Sequence, residues 1–169
     1  MAGPVAAVID VLSHVIDLLT DEVSGCALVP LPCRSSVETG TSVAWDHCKD
    51  STCGDRDGQL WASLTALTAV GASSVAECAS LQWTAQIGIV RCVHADIGDD
   101  GSMPTAAQLR EDVDQQALDA DAIRFALSCC AARGDSLRDV ALVSWIPLGP
   151  SGGCVGGQWT VRGILDVCC

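Results

Sequence analysis

Cysteine and histidine residues are the first candidates for chemistry in this sequence. The chain of 169 residues has 11 cysteines and three histidines, and thiolate together with imidazole is a ligand set of structural zinc sites. Strong zinc motifs pair two C-x2-C-like knuckles, whereas the spacing here is C-x6-C followed by H-C-x4-C. We therefore favour buried thiols or disulfides, and keep a small Cys/His metal-binding module as the alternative. The five residues concerned are Cys26, Cys33, His47, Cys48 and Cys53.

Either of two disulfides could close a short loop in this segment if the geometry allows it. The candidate pairs are Cys48 with Cys53, or Cys26 with Cys33. Such bonds would form after the protein leaves a reducing cytosol. Because the cysteine total is odd, at least one thiol stays unpaired in a monomer.

Signatures of catalysis are missing from the sequence. Neither GxSxG nor HExxH occurs. The glycine-rich segment Gly149–Gly157 has no GK[ST] that would lead it into a helix, as a phosphate-binding loop requires. We predict no catalytic residue, no cofactor site and no metal ligand, so the protein is not expected to be an enzyme. A cysteine-dependent enzyme with a histidine base ranks behind the metal-binding alternative.

The charge balance argues against binding of nucleic acid. The chain has 21 acidic and nine basic residues, a formal net charge of -12, and phosphate binding needs clustered Lys and Arg. The run Asp96–Asp121 contains eight acids and only Arg110 as a base. The simplest interpretation of this acidic run is the solvated start of a helix. The alternative is a functional surface that repels nucleic acid or binds a basic partner.

The N-terminal segment has neither the basic region of a signal peptide nor an uninterrupted apolar span. The first basic residue of the chain is Arg34, well beyond this segment. Asp10 and Asp17 interrupt the apolar stretch Val5–Leu19. We therefore predict no signal peptide and no membrane association, with synthesis and folding in a cytosol.

The elements that must position these residues follow from hydrophobic periodicity. Spacings of three and four predict a helix over residues 4–22 and a second over Thr105–Ala132, with an apolar stripe that includes Leu109, Val113, Ile123 and Leu127. Alternation of apolar and polar residues predicts strands. The predicted strands are Ala27–Leu31, Thr41–Trp45, Gln59–Leu67, Leu81–Ile89, Val140–Leu148 and Gln158–Val167, with loops at Ala95–Pro104 and Gly149–Gly157.

Strands that cluster in runs favour one α+β domain over residues 1–169, with a mostly antiparallel sheet flanked by an N-terminal helix and one long helix. All five tryptophans fall on predicted strands, where we expect most to be core and one or two to anchor an interface. These are Trp45, Trp61, Trp83, Trp145 and Trp159.

Four segments of the chain resemble one protein family. They are the helix Val5–Leu19, the stretch CGDRDGQLW at Cys53–Trp61, the long helix ending in Cys129 and Cys130, and WIPLGPSGGCVGGQW at Trp145–Trp159. Together they are similar to the tail terminator proteins of long-tailed (siphovirus) actinobacterial phages. The last segment is the most specific part of the resemblance, which covers most of the chain.

The resemblance implies a structural virion protein without a cofactor. Tail terminators form a hexameric ring on the tail tube, stop its polymerisation and join the tail to the neck of the head. The implied partners are further copies of the chain, the tail tube protein and a head-to-tail stopper or connector, and the genome passes through the lumen. The implied location is the neck of the virion, after assembly in the host cytoplasm. A connector or stopper of the neck is the alternative within this class.

Two groups of residues follow as candidates for these roles. Like charge would keep DNA from sticking to a lumen lined by Asp99, Asp100, Asp112 and Asp114. Glycine gives the Gly149–Gly157 loop freedom to adapt to a partner, so deleting Gly152–Gly156 should leave a folded monomer that fails to assemble. The expected interface residues are Trp145, Gly152, Gly153, Cys154, Gly156, Gly157 and Trp159.

Overall fold

A computed structural model describes residues 3–41, 53, 56–70, 79–92, 103–130, 139–151 and 153–167. Helix α1 is Pro4–Thr20, and a 3-10 turn follows at Glu22–Ser24. Helix α2 is Ala106–Phe125, and a π-helical turn extends it over Ala126–Cys130. The strands are β1 (Arg34–Thr39), β2 (Gln59–Val70), β3 (Ala79–Cys92), β4 (Ala141–Ser151) and β5 (Cys154–Val167).

The described strands form one five-stranded sheet in the order β1-β2-β3-β5-β4. Only the β1–β2 pair is parallel, and the other three pairs are antiparallel. The prediction of an α+β fold with a mostly antiparallel sheet, an N-terminal helix and one long helix is confirmed. Among the described strands, β1 and β4 are the two edges of this sheet.

Helix α1 covers one face of the sheet through its apolar stripe. Its buried residues follow the predicted spacing of three and four: Val8, Leu12, Val15, Ile16 and Leu19. They pack against buried strand residues on the same face, including Leu60, Ala62, Ala85, Ile87, Ile89 and Val161. Pro4 begins the helix, where its missing N–H costs nothing. The helix ends at Thr20, two residues before the predicted end, because Asp21 already has an extended backbone.

Helix α2 begins at a capping box. The Thr105 hydroxyl accepts a hydrogen bond from the Gln108 amide, and the Gln108 side chain accepts one from the Thr105 amide. Ile123, Ala126 and Leu127 are buried against the sheet. The predicted apolar stripe is wrong for the first half of α2, because Leu109 and Val113 are 45% and 60% exposed. In this part of α2 the side chains that face the sheet are polar and line a cleft. Among them, Asp119 is buried.

The strand predicted at Ala27–Leu31 is wrong, and β1 lies further along the chain. Pro30 and Pro32 have no N–H to give to a strand ladder, so this part of the chain is irregular. The strand forms at Arg34–Thr39, where only Val37 is a large apolar residue. Of the strand predicted at Thr41–Trp45, Thr41 is not in a strand, and residues 42–45 lie outside the described residues.

The flexible loop predicted at Gly149–Gly157 is also wrong. Strand β4 continues to Ser151, which pairs with Cys154 of β5, so the turn is only two residues long. Gly153 in this turn has a positive φ of 74°. Gly156 and Gly157 are strand residues at which close neighbours leave no room for a Cβ atom. Glycine here permits close packing rather than mobility.

Candidate functional site

A buried ion pair joins strand β3 to helix α2. Arg91 donates from Nε to Asp119 Oδ2 and from Nη2 to Asp119 Oδ1, both at 2.7 Å. The two side chains are 5% and 3% exposed. A planar guanidinium in this geometry matches both carboxylate oxygens at once. It is the only bidentate ion pair among the residues that the structure describes.

Three further hydrogen bonds extend this pair into a network. Arg91 Nη1 donates to the carbonyl oxygen of Asp57 at 2.8 Å, which ties the start of β2 to β3. The Gln115 amide donates to Asp119 Oδ1 at 3.1 Å and to the Val29 carbonyl at 2.9 Å. The network therefore holds α2, β3 and the irregular segment around Val29 in one arrangement.

A cleft of about 260 Å³ opens beside the network. Four carboxylates line it, together with Arg91, so its lining is acidic. Burial raises the pKa of Asp119, and the hydrogen bonds and charge of Arg91 oppose that rise. The acidic residues are Asp57, Glu111, Asp112 and Asp119. Within the described part of the chain, no group of three His, Cys, Asp or Glu side chains could hold a metal ion.

A disulfide joins Cys33 to Cys53, with 5.1 Å between their Cα atoms. Both predicted pairings are therefore wrong, because each of them assigns Cys33 or Cys53 to another partner. Sequence spacing favoured the nearest cysteine, whereas the parallel pairing of β1 with β2 brings the start of β1 beside Cys53. The bond also occupies two of the five thiol and imidazole groups considered for zinc. His47 and Cys48 lie outside the described residues, and Cys26 and Cys154 are disulfide-bonded as well.

Trp145 and Trp159 pack between the β4–β5 hairpin and helix α2. Their ring centroids are 5.7 Å apart with the planes tilted by 55°, and both side chains are partly buried against the main core. Trp159 Nε1 donates to the Ala120 carbonyl of α2 at 2.9 Å. Both tryptophans therefore contribute to packing within the chain, while their role as interface residues stays a prediction.

The other predicted interface residues lie at or beyond the hairpin turn. Gly153 is in the turn, and Cys154 is a buried residue of β5. Gly156 and Gly157 are buried strand residues, and Gly152 lies outside the described residues. Gly153 in the turn and the exposed side chains of β4 are therefore accessible to another molecule. The buried side chain of Cys154 is not.

The predicted lumen-facing acids do not share one direction. Asp112 lines the cleft and is partly buried, whereas Asp114 is exposed and pairs with Arg110 at 3.5 Å. Residues two apart on a helix point to different sides. Asp99 and Asp100 lie outside the described residues, so their role in the lumen stays a prediction.

The sequence pattern does not predict the buried pairing of Arg91 with Asp119. Asp119 lies in an acidic run that fits a solvated helix, and Arg91 ends an apolar strand. A weak signal was available, because Arg91 continues the alternating core positions Ile87 and Ile89. A charged residue at a core position needs a buried partner.

No helix in the described residues has the length and apolar character needed to cross a membrane. The chain matches no protein-family model, and no curated protein is significantly similar to it.

Proposed function

We propose that this protein is a structural virion component, a tail terminator that forms a hexameric ring on the tail tube. In this role it ends tube polymerisation and presents a surface for the head-to-tail stopper or connector, in the neck of the virion. It performs no catalysis and needs no cofactor, and the genome passes through the ring without specific binding. Assembly takes place in the host cytoplasm.

The observation that carries the proposal is the position of the Trp145–Trp159 segment. This is the most specific part of the family resemblance, and it forms the hairpin at the β4 edge of the sheet. The segment contains no charged residue in a chain with a net charge of -12. Copies of so acidic a protein repel one another, so an uncharged surface is where a partner can approach at least cost.

Exposed apolar side chains on β4 support the same conclusion. Val143 is 47% exposed and Ile146 is 43% exposed. No Lys, Arg, Asp or Glu lies between Ala141 and Ser151, although soluble monomers often place charges on an edge strand. Pro147 and Pro150 hinder the pairing of another strand with β4, so a partner would contact its side chains. An apolar and uncharged edge is typical of a surface that another protein covers.

The tail tube protein encoded with this chain provides the direct test. Tail tubes polymerised in its presence should stay short and carry a ring of six subunits at one end in electron micrographs. Tubes that grow to the same length with and without the protein, and that carry no ring, would contradict a terminator role.

Loss of the gene separates the two neck roles. Phages that lack a terminator should make overlong tails, whereas loss of a connector or stopper should leave tail-less heads. The metal-binding alternative is tested by metal analysis of the purified chain, since a structural site would hold about one zinc per chain. The Cys33–Cys53 disulfide counts against that alternative, because a zinc-bound cysteine must be a thiolate.

A further inference from the structure

Cys92 and Cys154 lie directly opposite each other at one end of the sheet. Cys92 is the last residue of β3, Cys154 is the first residue of β5, and the two are paired in the antiparallel ladder. Residues opposite each other in such a ladder share a face and have Cα atoms about 4.5 or 5.5 Å apart. Both values lie within the range of about 4.4–6.8 Å that a disulfide bridges. The backbone therefore already holds these two cysteines at a separation that a disulfide can span.

The two cysteines differ in oxidation state. Cys92 carries a thiol, whereas Cys154 is disulfide-bonded. Its partner is a cysteine other than Cys33 and Cys53, because these two are bonded to each other. We call this partner of Cys154 the third cysteine. A thiol thus lies beside a disulfide, which is the arrangement that thiol–disulfide exchange requires.

The two cysteines also differ in their exposure to solvent. Cys154 is 4% exposed and packs with Trp61 and Val90, each of which is 1% exposed. Cys92 is exposed at the end of its strand. Exchange depends on access to the sulfur that is attacked, and the apolar cluster shields Cys154 from a dissolved thiol. The route from solution to the Cys154 sulfur therefore passes through Cys92.

The odd number of cysteines keeps a thiol available for this exchange. With 11 cysteines, the monomer retains at least one thiol even when every other cysteine is paired. Attack of a thiol on a disulfide moves the thiol from one cysteine to another and leaves the number of disulfides unchanged. The first exchange within the chain thus needs neither an oxidant nor a reductant.

We propose that Cys92 relays thiol–disulfide exchange between the solution and the buried disulfide of Cys154. The Cys92 thiolate attacks Cys154 Sγ, the Cys92–Cys154 bond forms, and the bond from Cys154 to the third cysteine breaks. The third cysteine leaves as a thiolate and takes up the proton that Cys92 released. A dissolved monothiol such as glutathione then attacks Cys92 Sγ as its thiolate. It forms a mixed disulfide with Cys92, and Cys154 leaves as a thiolate that takes up the proton of the monothiol.

The relay changes what is covalently attached to the start of β5. Before exchange, Cys154 is bonded to the third cysteine, and after exchange it is bonded to its neighbour in the sheet. Strands β3 and β5 already pair over their whole length, so the new bond leaves their register unchanged. The exchange therefore releases the third cysteine while the sheet is kept. This inference is independent of the proposed ring function.

The rate of reduction by a sub-millimolar concentration of glutathione tests the relay. The bond between Cys154 and the third cysteine should be lost at least about tenfold faster in wild type than in Cys92→Ser, because a neighbouring thiol acts at an effective concentration in the millimolar range or above. Acid quenching, alkylation and peptide mapping by mass spectrometry follow each disulfide separately. The Cys33–Cys53 bond is the internal control, and its rate of reduction should be equal in both proteins.

Two further samples separate the relay from an effect of the serine on folding. Cys92→Ala, and wild type alkylated at Cys92 in the native state, should both show the slow rate of Cys92→Ser, with folding confirmed by circular dichroism. Mapping of partly reduced wild type should also show a peptide crosslinked between Cys92 and Cys154. Loss of the Cys154 bond in the folded variants and in the alkylated protein as fast as in wild type would overturn the relay.

Discussion

Arg91 and Asp119 are 28 residues apart in the chain, yet they form a bidentate ion pair that is almost completely buried. The pair fixes helix α2 over the end of strand β3. It thereby sets the direction in which Leu118 and Phe125, on the far side of the same helix, face solvent. A structural ion pair in the interior thus determines which side of α2 is exposed.

Breaking this pair should destabilise the fold strongly. Asp119→Ala removes both hydrogen-bond acceptors of the buried Arg91 guanidinium together with its counterion, so we expect a loss of about 3–5 kcal/mol in the free energy of unfolding. Asp114→Ala is the control, because the Arg110–Asp114 pair is exposed and its loss should cost less than about 1 kcal/mol. Urea denaturation followed by tryptophan fluorescence measures both. Equal effects of the two substitutions would show that the buried pair does not anchor α2.

The pH dependence of stability should carry the signature of Asp119. Burial raises the pKa of this carboxyl in the folded protein, so the folded state takes up a proton at a higher pH than the unfolded state does. As the pH falls from the folded to the unfolded pKa, the group therefore adds stability, and that contribution is lost as the pH rises again. Wild type should gain stability relative to Asp119→Asn on mild acidification. If wild type instead lost stability relative to Asp119→Asn, the attraction of Arg91 would lower the pKa of Asp119 by more than burial raises it.

The Cys33–Cys53 disulfide should stabilise the protein only under oxidising conditions. It spans a sequence separation of 20 residues, for which the loop-closure entropy amounts to about 3 kcal/mol. The Cys33→Ser/Cys53→Ser variant should lose about this much in unfolding free energy without reductant. With excess dithiothreitol, which also reduces the other disulfides, variant and wild type should become equal. A difference that persists in dithiothreitol would indicate that the two side chains act through packing instead.

Glycine at position 157 should be required for the packing of Trp145. A Cβ atom there would overlap the indole ring of Trp145, so Gly157→Ala should cost about 1–3 kcal/mol by overpacking. Gly149 in the same hairpin has open space around it, and Gly149→Ala should change stability by less than about 0.5 kcal/mol. Unfolding curves and near-ultraviolet circular dichroism of the tryptophans test the comparison. A tolerated Gly157→Ala would indicate that the indole can move aside freely.

Deletion of Gly152–Gly156 should unfold the protein rather than leave a folded monomer. The deletion removes Cys154 and Gly156, which pair with both neighbouring strands of β5. Exchange of Gly153 alone for Asn, which tolerates its positive φ, should preserve folding. Far-ultraviolet circular dichroism distinguishes the two variants, and a folded deletion variant would support the prediction of a flexible loop for this segment.

The sequence by itself determined the elements whose pattern is local. The spacing of three and four in α1, the alternation in β2, β3 and β5, and the start of α2 each depend on residues a few positions apart, and the structure confirms these helices and strands. Burial of one face is a strong and local constraint, so these elements are visible in the order of residue types.

Only the tertiary structure decided the features that depend on distant partners. Strand β1 has one large apolar residue and becomes a strand because β2 offers it a parallel ladder. The partner of Cys33 follows from that ladder and not from cysteine spacing. The inward turn of Asp119 depends on a guanidinium from another element, since a lone carboxylate would face water. Glycines 156 and 157 look like loop residues until the backbone and the Trp145 ring that approach them are known. In each case the deciding contact is absent from the neighbouring sequence, because it forms only when the chain has folded.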